Sequence, residues 1–144
     1  MQATLYKTDF YAWTKTQAAL LHAEEFSEVD WQNLIEEIED MGRSEERELE
    51  SRLATIMLHM LKIICETESR AVRGWKNTIL TQRINLRRHL KGNASLRAHL
   101  ADYLEDAYQD ALILAADTTR CAAGEFPAHC PWTPEQILDP NWLP

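Results

Sequence analysis

The sequence predicts an all-α protein: one domain over residues 1–144, a bundle of four to five helices closed by a proline-rich C-terminal strap. Three observations lead there. All five prolines lie at position 127 or later, four of them after residue 130, so residues 1–126 lack the strongest helix breaker. Apolar residues before that point recur at steps of three and four. Hydrophobic residues make up 45% and charged residues 26% of 144, the balance of a globular chain long enough to bury a continuous core.

Each element follows from local pattern. Thr8 or Asp9 can cap a first helix over about 9–25, with Phe10, Trp13, Gln17, Leu20 and Leu21 near one face. Ser27 can cap a second over about 28–41, where Trp31, Leu34, Ile35, Ile38 and Met41 form a stripe at helical spacing. Gly42 followed by Ser44 reads as stop and restart; a continuous kinked helix is the alternative, and the helix count turns on it. A third helix over about 44–66 has Leu49, Leu53, Ile56, Met57, Met60, Leu61 and Ile64 as its core face. Apolar residues cover most of its later circumference, the mark of a helix buried among others.

After a connection at 67–74, a basic helix over about 75–91 points Val72, Trp75, Ile79, Leu86 and Leu90 inward, and Gly92-Asn93 ends it. Ser95 can cap the last long helix, to about 121, with Leu100, Tyr103, Leu104, Ala107, Ala111, Leu114 and Ala115 inward. The bundle thus occupies about 9–121. The tail, 122–144, reads as a strap with one short helical turn: Thr133 as N-cap, Pro134 at the first helical position, Gln136 completing a capping box.

Cysteines and termini bear on setting. Cys65, Cys121 and Cys130 make an odd set with no disulfide framework, which fits reduced thiols and a cytoplasmic protein. The opening MQATLYKTDF shows no secretory pattern, and the apolar stretch from Leu53 to Cys65, broken by His59 and Lys62, is too short to span a bilayer; no membrane partner is expected. Cys121, His129 and Cys130 offer only three ligands without a C-x-x-C, so no zinc site is read there.

Three features could carry chemistry. The first is a polar stripe on the greasy third helix: Glu48, Arg52, Thr55, His59, Lys62 and Glu66. His59, with Lys62, is a candidate for general-base or assisting chemistry, because the histidine pKa is easily tuned. The ordinary reading, an edge with Glu48–Arg52 and Lys62–Glu66 ion pairs, is preferred.

The second is the acidic run Glu36-Glu37-x-x-Asp40, which with Asp110 from the later helix could hold Mg²⁺ or Mn²⁺. It is similar to the E-E-x-x-D element of the all-α nucleotide pyrophosphohydrolases, without a clear paired E-E-x-x-E. Helical angles point Asp40, Asp102 and Asp106 away from the apolar faces, which favours a solvated acidic surface.

The third is charge asymmetry. Arg70 to Arg97 holds eight Lys/Arg and no acid, in a chain of net charge −8. Arg83, Arg87, Arg88 and Lys91 are the binding candidates for phosphate or nucleic acid, against internal pairing with the acidic helices as the preferred reading.

Long segments look familiar: D-F-Y-A-W-T-x-x-Q-A-x-L-L (9–21), L-I-E-E-I-E-D-M-G-R-S-E (34–45), L-x-x-x-M-L-H-M-L-K (53–62), W-K-N-T-I-L-x-Q-R-I (75–84) and F-P-x-x-C-P-W-T-x-E-Q-I-L-D with a closing W-L-P. Together they resemble the bacterial, largely cyanobacterial and proteobacterial, domain-of-unknown-function family twenty-nine. The resemblance implies a small all-helical bacterial protein and assigns no activity, cofactor or catalytic residue. Glu37, Asp40, His59, Lys62, Trp75 and Arg83 fall within the familiar segments.

The function expected first is a non-enzymatic module that binds another protein, with self-association left open. The second is a metal-dependent phosphohydrolase acting on nucleotides, with Glu36, Glu37, Asp40 and Asp110 on Mg²⁺ or Mn²⁺ and His59, Lys62 or Glu37 in catalysis. The third, less favoured, is nucleic-acid binding through residues 70–97.

Overall fold

Between Trp31 and Cys65 the chain has one glycine and no proline, and it forms a single 35-residue helix. This computed structural model describes residues 2–144, with side chains from Thr4 onward. Its described residues form seven α-helices and no strand: α1 (Gln2–Thr8), α2 (Phe10–His22), α3 (Trp31–Cys65), α4 (Val72–Lys91), α5 (Ala94–Ala98), α6 (Leu100–Thr118) and α7 (Pro134–Leu138), with short 3₁₀ turns at Phe26–Glu28 and Ala123–Glu125. Their internal contacts divide the chain into two compact units, Met1–Glu45 and Glu46–Pro144.

The break expected at Gly42 does not occur. A glycine inside a helix costs about 1 kcal/mol relative to alanine, and ion pairs reach across it. Arg43 meets Glu36 at 3.3 Å, Glu39 at 3.6 Å and Asp40 closer still. A Cβ at Gly42 would meet nothing within 4 Å, so no close approach requires the glycine.

In the first unit, Asp9 caps α2 as expected, its Oδ1 accepting from the Ala12 amide at 3.1 Å. The short α1 was not expected, because its seven residues are too few to show an apolar period. Ser27 does not cap a helix from 28; it lies in a 3₁₀ turn, and α3 begins at Trp31. Asp30 organises that start. Its amide donates to Gln17 Oε1 at 2.8 Å, and its Oδ2 accepts from Asn33 at 2.8 Å and from Trp13 Nε1 at 3.0 Å. These bonds satisfy the buried Gln17 and Trp13 and tie α2 to the start of α3.

The second unit holds the main core. Leu49, Leu53, Ile56, Met57, Met60 and Leu61 of α3 are buried with Ile79, Leu86 and Leu90 of α4, Leu104, Ala107, Tyr108, Ala111 and Ala115 of α6, and Phe126, Trp132 and Ile137 of the tail. Two outward shifts correct the expected faces: Ile64 and Leu114 are exposed, with Ile63 buried instead of Ile64. The expected helix over 95–121 is two, α5 and α6, parted at His99 without a side-chain cap from Ser95.

The strap forms as expected. The Thr133–Gln136 capping box is present in both directions, with Pro134 at the first turn. Side chains of the bundle pin the strap by its backbone: Tyr108 donates to Pro127 O at 2.6 Å, Gln109 to Ala128 O at 2.9 Å, and Glu105 accepts from the Cys130 amide at 3.0 Å. Irregular chain exposes carbonyls and amides that helices would satisfy internally, and these bonds replace them.

The expectation of three reduced thiols is overturned. Cys65, at the end of α3, forms a disulfide with Cys121, just past α6, and Cys130 alone is a free thiol. The pair is 56 residues apart in sequence and 6.2 Å apart in Cα position, a proximity created by α6 running in the same direction as the second half of α3, with Tyr103 bonded to Glu46 near one end and the Arg120 amide to Glu66 at the other.

Candidate functional site

The N-terminal unit carries an apolar groove. Phe10, Trp13, Thr14, Gln17, Ala18 and Leu21 of α2 form one wall, and Leu34, Glu37, Ile38 and Met41 of α3 the other, around about 420 Å³. The positions follow from helical period: 34, 38 and 41 are one α3 face, and 10, 14, 17 and 21 one α2 face. Tyr6, Phe10 and Trp13 cluster at one end, Tyr6 edge-on to Trp13 at 4.8 Å and Phe10 stacked on it at 5.6 Å.

The apolar period of residues 31–41 does not show such a groove, which Ile38 and Met41 line while Trp31 and Ile35 lie outside it. Those residues read as a core face, yet Trp31, Ile35, Ile38 and Met41 are 46%, 51%, 59% and 67% exposed. Phe10, Tyr11 and Phe26 are exposed in the same unit. Exposed sets of large apolar side chains rimmed by polar ones are characteristic of interaction sites and ligand-binding grooves. The expected burial fails because periodicity reports that a face is apolar, not what covers it.

The rim is acidic. Residues 1–45 hold three Lys/Arg against ten Asp/Glu, a formal −7 out of the chain's −8. Glu37 is the one charged residue lining the groove, and it accepts a hydrogen bond from the Tyr6 hydroxyl. That bond, with burial and the carboxylates around it, pushes the Tyr6 phenol up to about 12.

The sequence-read metal candidates are dispersed into other roles. Glu36 and Asp40 pair with Arg43, Glu37 serves Tyr6, and Asp110 lines a separate surface depression of the second unit with Arg47 and Glu50. Among the described residues no group of three or more His, Cys, Asp or Glu is placed to hold a metal ion.

The polar stripe of α3 turns toward the basic helix α4. Glu48 Oε2 lies 2.6 Å from His89 Nδ1 and 3.4 Å from Arg52, while Arg52 donates to Gln82 at 3.0 Å. Lys62 sits 5.9 Å over the Trp75 ring rather than on Glu66, whose Oε1 accepts from the Arg120 amide at 3.3 Å. The expected Lys62–Glu66 pair is thus replaced by tertiary partners. His59 is half-buried, its Nδ1 on Thr55 O at 2.8 Å, and burial pulls its pKa below 6.5 against that bond, with Lys62 adding to the lowering. It is a histidine held by its own helix, and among the described residues no carboxylate bonds it to orient it as a base.

The basic run is not paired internally. Among the described residues none of Arg70, Arg73, Lys76, Arg83, Arg87, Arg88, Lys91 and Arg97 has a carboxylate within 4 Å. Arg87, Arg88 and Lys91 are exposed, but Arg83 is 2% exposed and belongs to the core face of α4. It donates from Nε to Ile137 O at 2.8 Å and from Nη2 to Gln136 O at 3.1 Å, holding the strap.

No helix of the described residues is long and apolar enough to cross a membrane. Comparison with curated proteins and with solved structures finds no match for the chain. The family model described as "Domain of unknown function DUF29" matches residues 5–143, nearly the whole length, and so the chain belongs to that family.

Proposed function

We propose that the chain is a protein-interaction module whose N-terminal groove takes the apolar face of a basic amphipathic helix from a partner protein. The exposed Ile38 and Met41, which line the groove with Phe10 and Leu21, carry this reading. Apolar anchors at i, i+3, i+4 and i+7 are what such a groove receives. Charge selects the occupant. A −7 unit attracts a basic segment and repels a second copy of itself, and Glu37, whose Oε1 holds Tyr6, offers its other carboxylate oxygen to a single lysine or arginine bordering the buried stripe. Hydrolysis at a carboxylate-held metal has less support, because the candidate carboxylates are engaged elsewhere.

The test is fluorescence anisotropy with two synthetic helical peptides that share one leucine stripe, one with lysines on the polar face and one with glutamates. The lysine peptide binds, more weakly as salt rises, and Ile38→Asp or Met41→Asp weakens it about tenfold or more. Equal binding of both peptides, or of neither, defeats the proposal. So does sedimentation of the wild type as a dimer that Ile38→Asp returns to monomer, since the face would then serve self-association.

A further inference from the structure

A second site lies in the other unit, where three arginines from two helices meet the strap. Arg83, Arg87 and Leu90 of α4, Arg97 of α5, and Leu138 and Pro140 of the tail enclose about 250 Å³. No carboxylate lines this cavity. The nearest acidic influence is Asp139, beyond ion-pairing distance of Arg83, with its Oδ1 accepting the Asn141 amide at 2.9 Å.

Arg83 is the informative member. A guanidinium has five N–H donors, and the two bonds to strap carbonyls use Nε and Nη2. Nη1 has no hydrogen bond among the described residues, yet no buried side-chain nitrogen or oxygen of those residues lacks a partner. Nη1 is therefore reached by solvent, and the cavity that Arg83 lines is the route. A nearly buried cation whose charge no carboxylate neutralises is costly to keep. Arg87 and Arg97 add like charge beside it instead of relieving it.

We propose that this cavity binds the phosphoryl group of a small phosphate monoester, with Arg83 at its floor and Arg87 and Arg97 at its mouth. Three guanidinium groups from separate positions suit a tetrahedral dianion with donors on several sides, whereas a carboxylate is satisfied by one bidentate arginine. The volume is below the range of about 300–1,000 Å³ for whole drug-sized ligands, so it fits a small headgroup. Leu90, Leu138 and Pro140 give an apolar wall for the carbon next to the ester oxygen. Duplex or single-stranded nucleic acid is disfavoured because Arg83 is sunk beneath the surface.

The experiment is titration calorimetry of the full chain with inorganic phosphate, phenyl phosphate, acetate and a short RNA. Phosphate binds, phenyl phosphate binds more tightly through the apolar wall, and acetate binds at least tenfold more weakly than phosphate. The double variant Arg87→Ala/Arg97→Ala loses about tenfold or more in phosphate affinity, while its melting temperature in phosphate-free buffer is no lower than that of wild type, because the strap anchor Arg83 is untouched and the like charge beside it is gone. Arg83→Lys keeps a cation at the floor but not both strap bonds, and it weakens phosphate binding and lowers the melting temperature together. No phosphate binding, equal acetate binding, or full affinity in the double variant overturns the proposal. RNA binding that depends on Arg87 and Arg97 without phosphate binding overturns it in favour of a nucleic-acid surface.

Discussion

The two halves of α3 carry apolar residues at the same spacing, and they live in opposite environments. Ile35, Ile38 and Met41 are each more than half exposed, while Leu49, Leu53, Ile56 and Met60, on the same helix, are sealed from water. The second half is enclosed by α4, α6 and the strap, which all contribute to one core. The first half shares its unit with α1, α2 and a 3₁₀ turn, too little chain to cover an apolar face of that length. An amphipathic pattern therefore states a demand for burial, and the neighbours decide whether the protein meets it or leaves the face exposed.

That contrast can be broken most strongly at the disulfide. The Cys65–Cys121 link closes a 56-residue separation, and chain entropy alone puts its contribution at about 4 kcal/mol. Reduction, or Cys121→Ser, lowers the urea midpoint of the second unit accordingly; an unchanged midpoint under reductant would remove the bond from the stability argument. Leu53→Ala, at a fully buried position, costs about 3 kcal/mol in the same assay.

A pH effect is smaller and has a definite sign. The His59 pKa lies below its ordinary 6.5 because burial disfavours the imidazolium. Its stabilising contribution is present above 6.5 and is lost as pH falls from there through the folded-state value. His59→Gln flattens the fall in melting temperature on acidification; an identical slope in the variant would assign it to other groups. Smallest is Ile38→Ala, expected within about 0.5 kcal/mol of wild type, because its side chain is largely exposed already. A loss comparable to that of Leu53→Ala would mean the first half of α3 is covered in solution. Amide exchange sharpens the same point, being faster over 31–45 than over 49–63.

Much of the fold is legible in the sequence. The helical class, the α3 core face from Leu49 to Leu61, the Asp9 cap and the Thr133–Gln136 capping box all follow from local chemistry, since caps and apolar periods are short-range properties. The start of α3 was misplaced because Asp30, and not Ser27, is fixed by Trp13 and Gln17 from an earlier helix. The candidate sites were legible only as residue types. Arg83 stood out as one of a basic run, and the strap's return makes it a buried anchor facing a cavity.

By itself, then, the sequence determined which segments become helices, where several of them are capped, and how unevenly charge is spread, because those depend on neighbours within a few residues. Tertiary structure alone decided that the stripe at 35–41 stays exposed, that Cys65 finds Cys121, that Lys62 leaves Glu66 for Trp75, and that three arginines share one pocket without an acid. Each of those outcomes depends on segments tens of residues apart arriving at one place, and no local pattern encodes which of them will arrive.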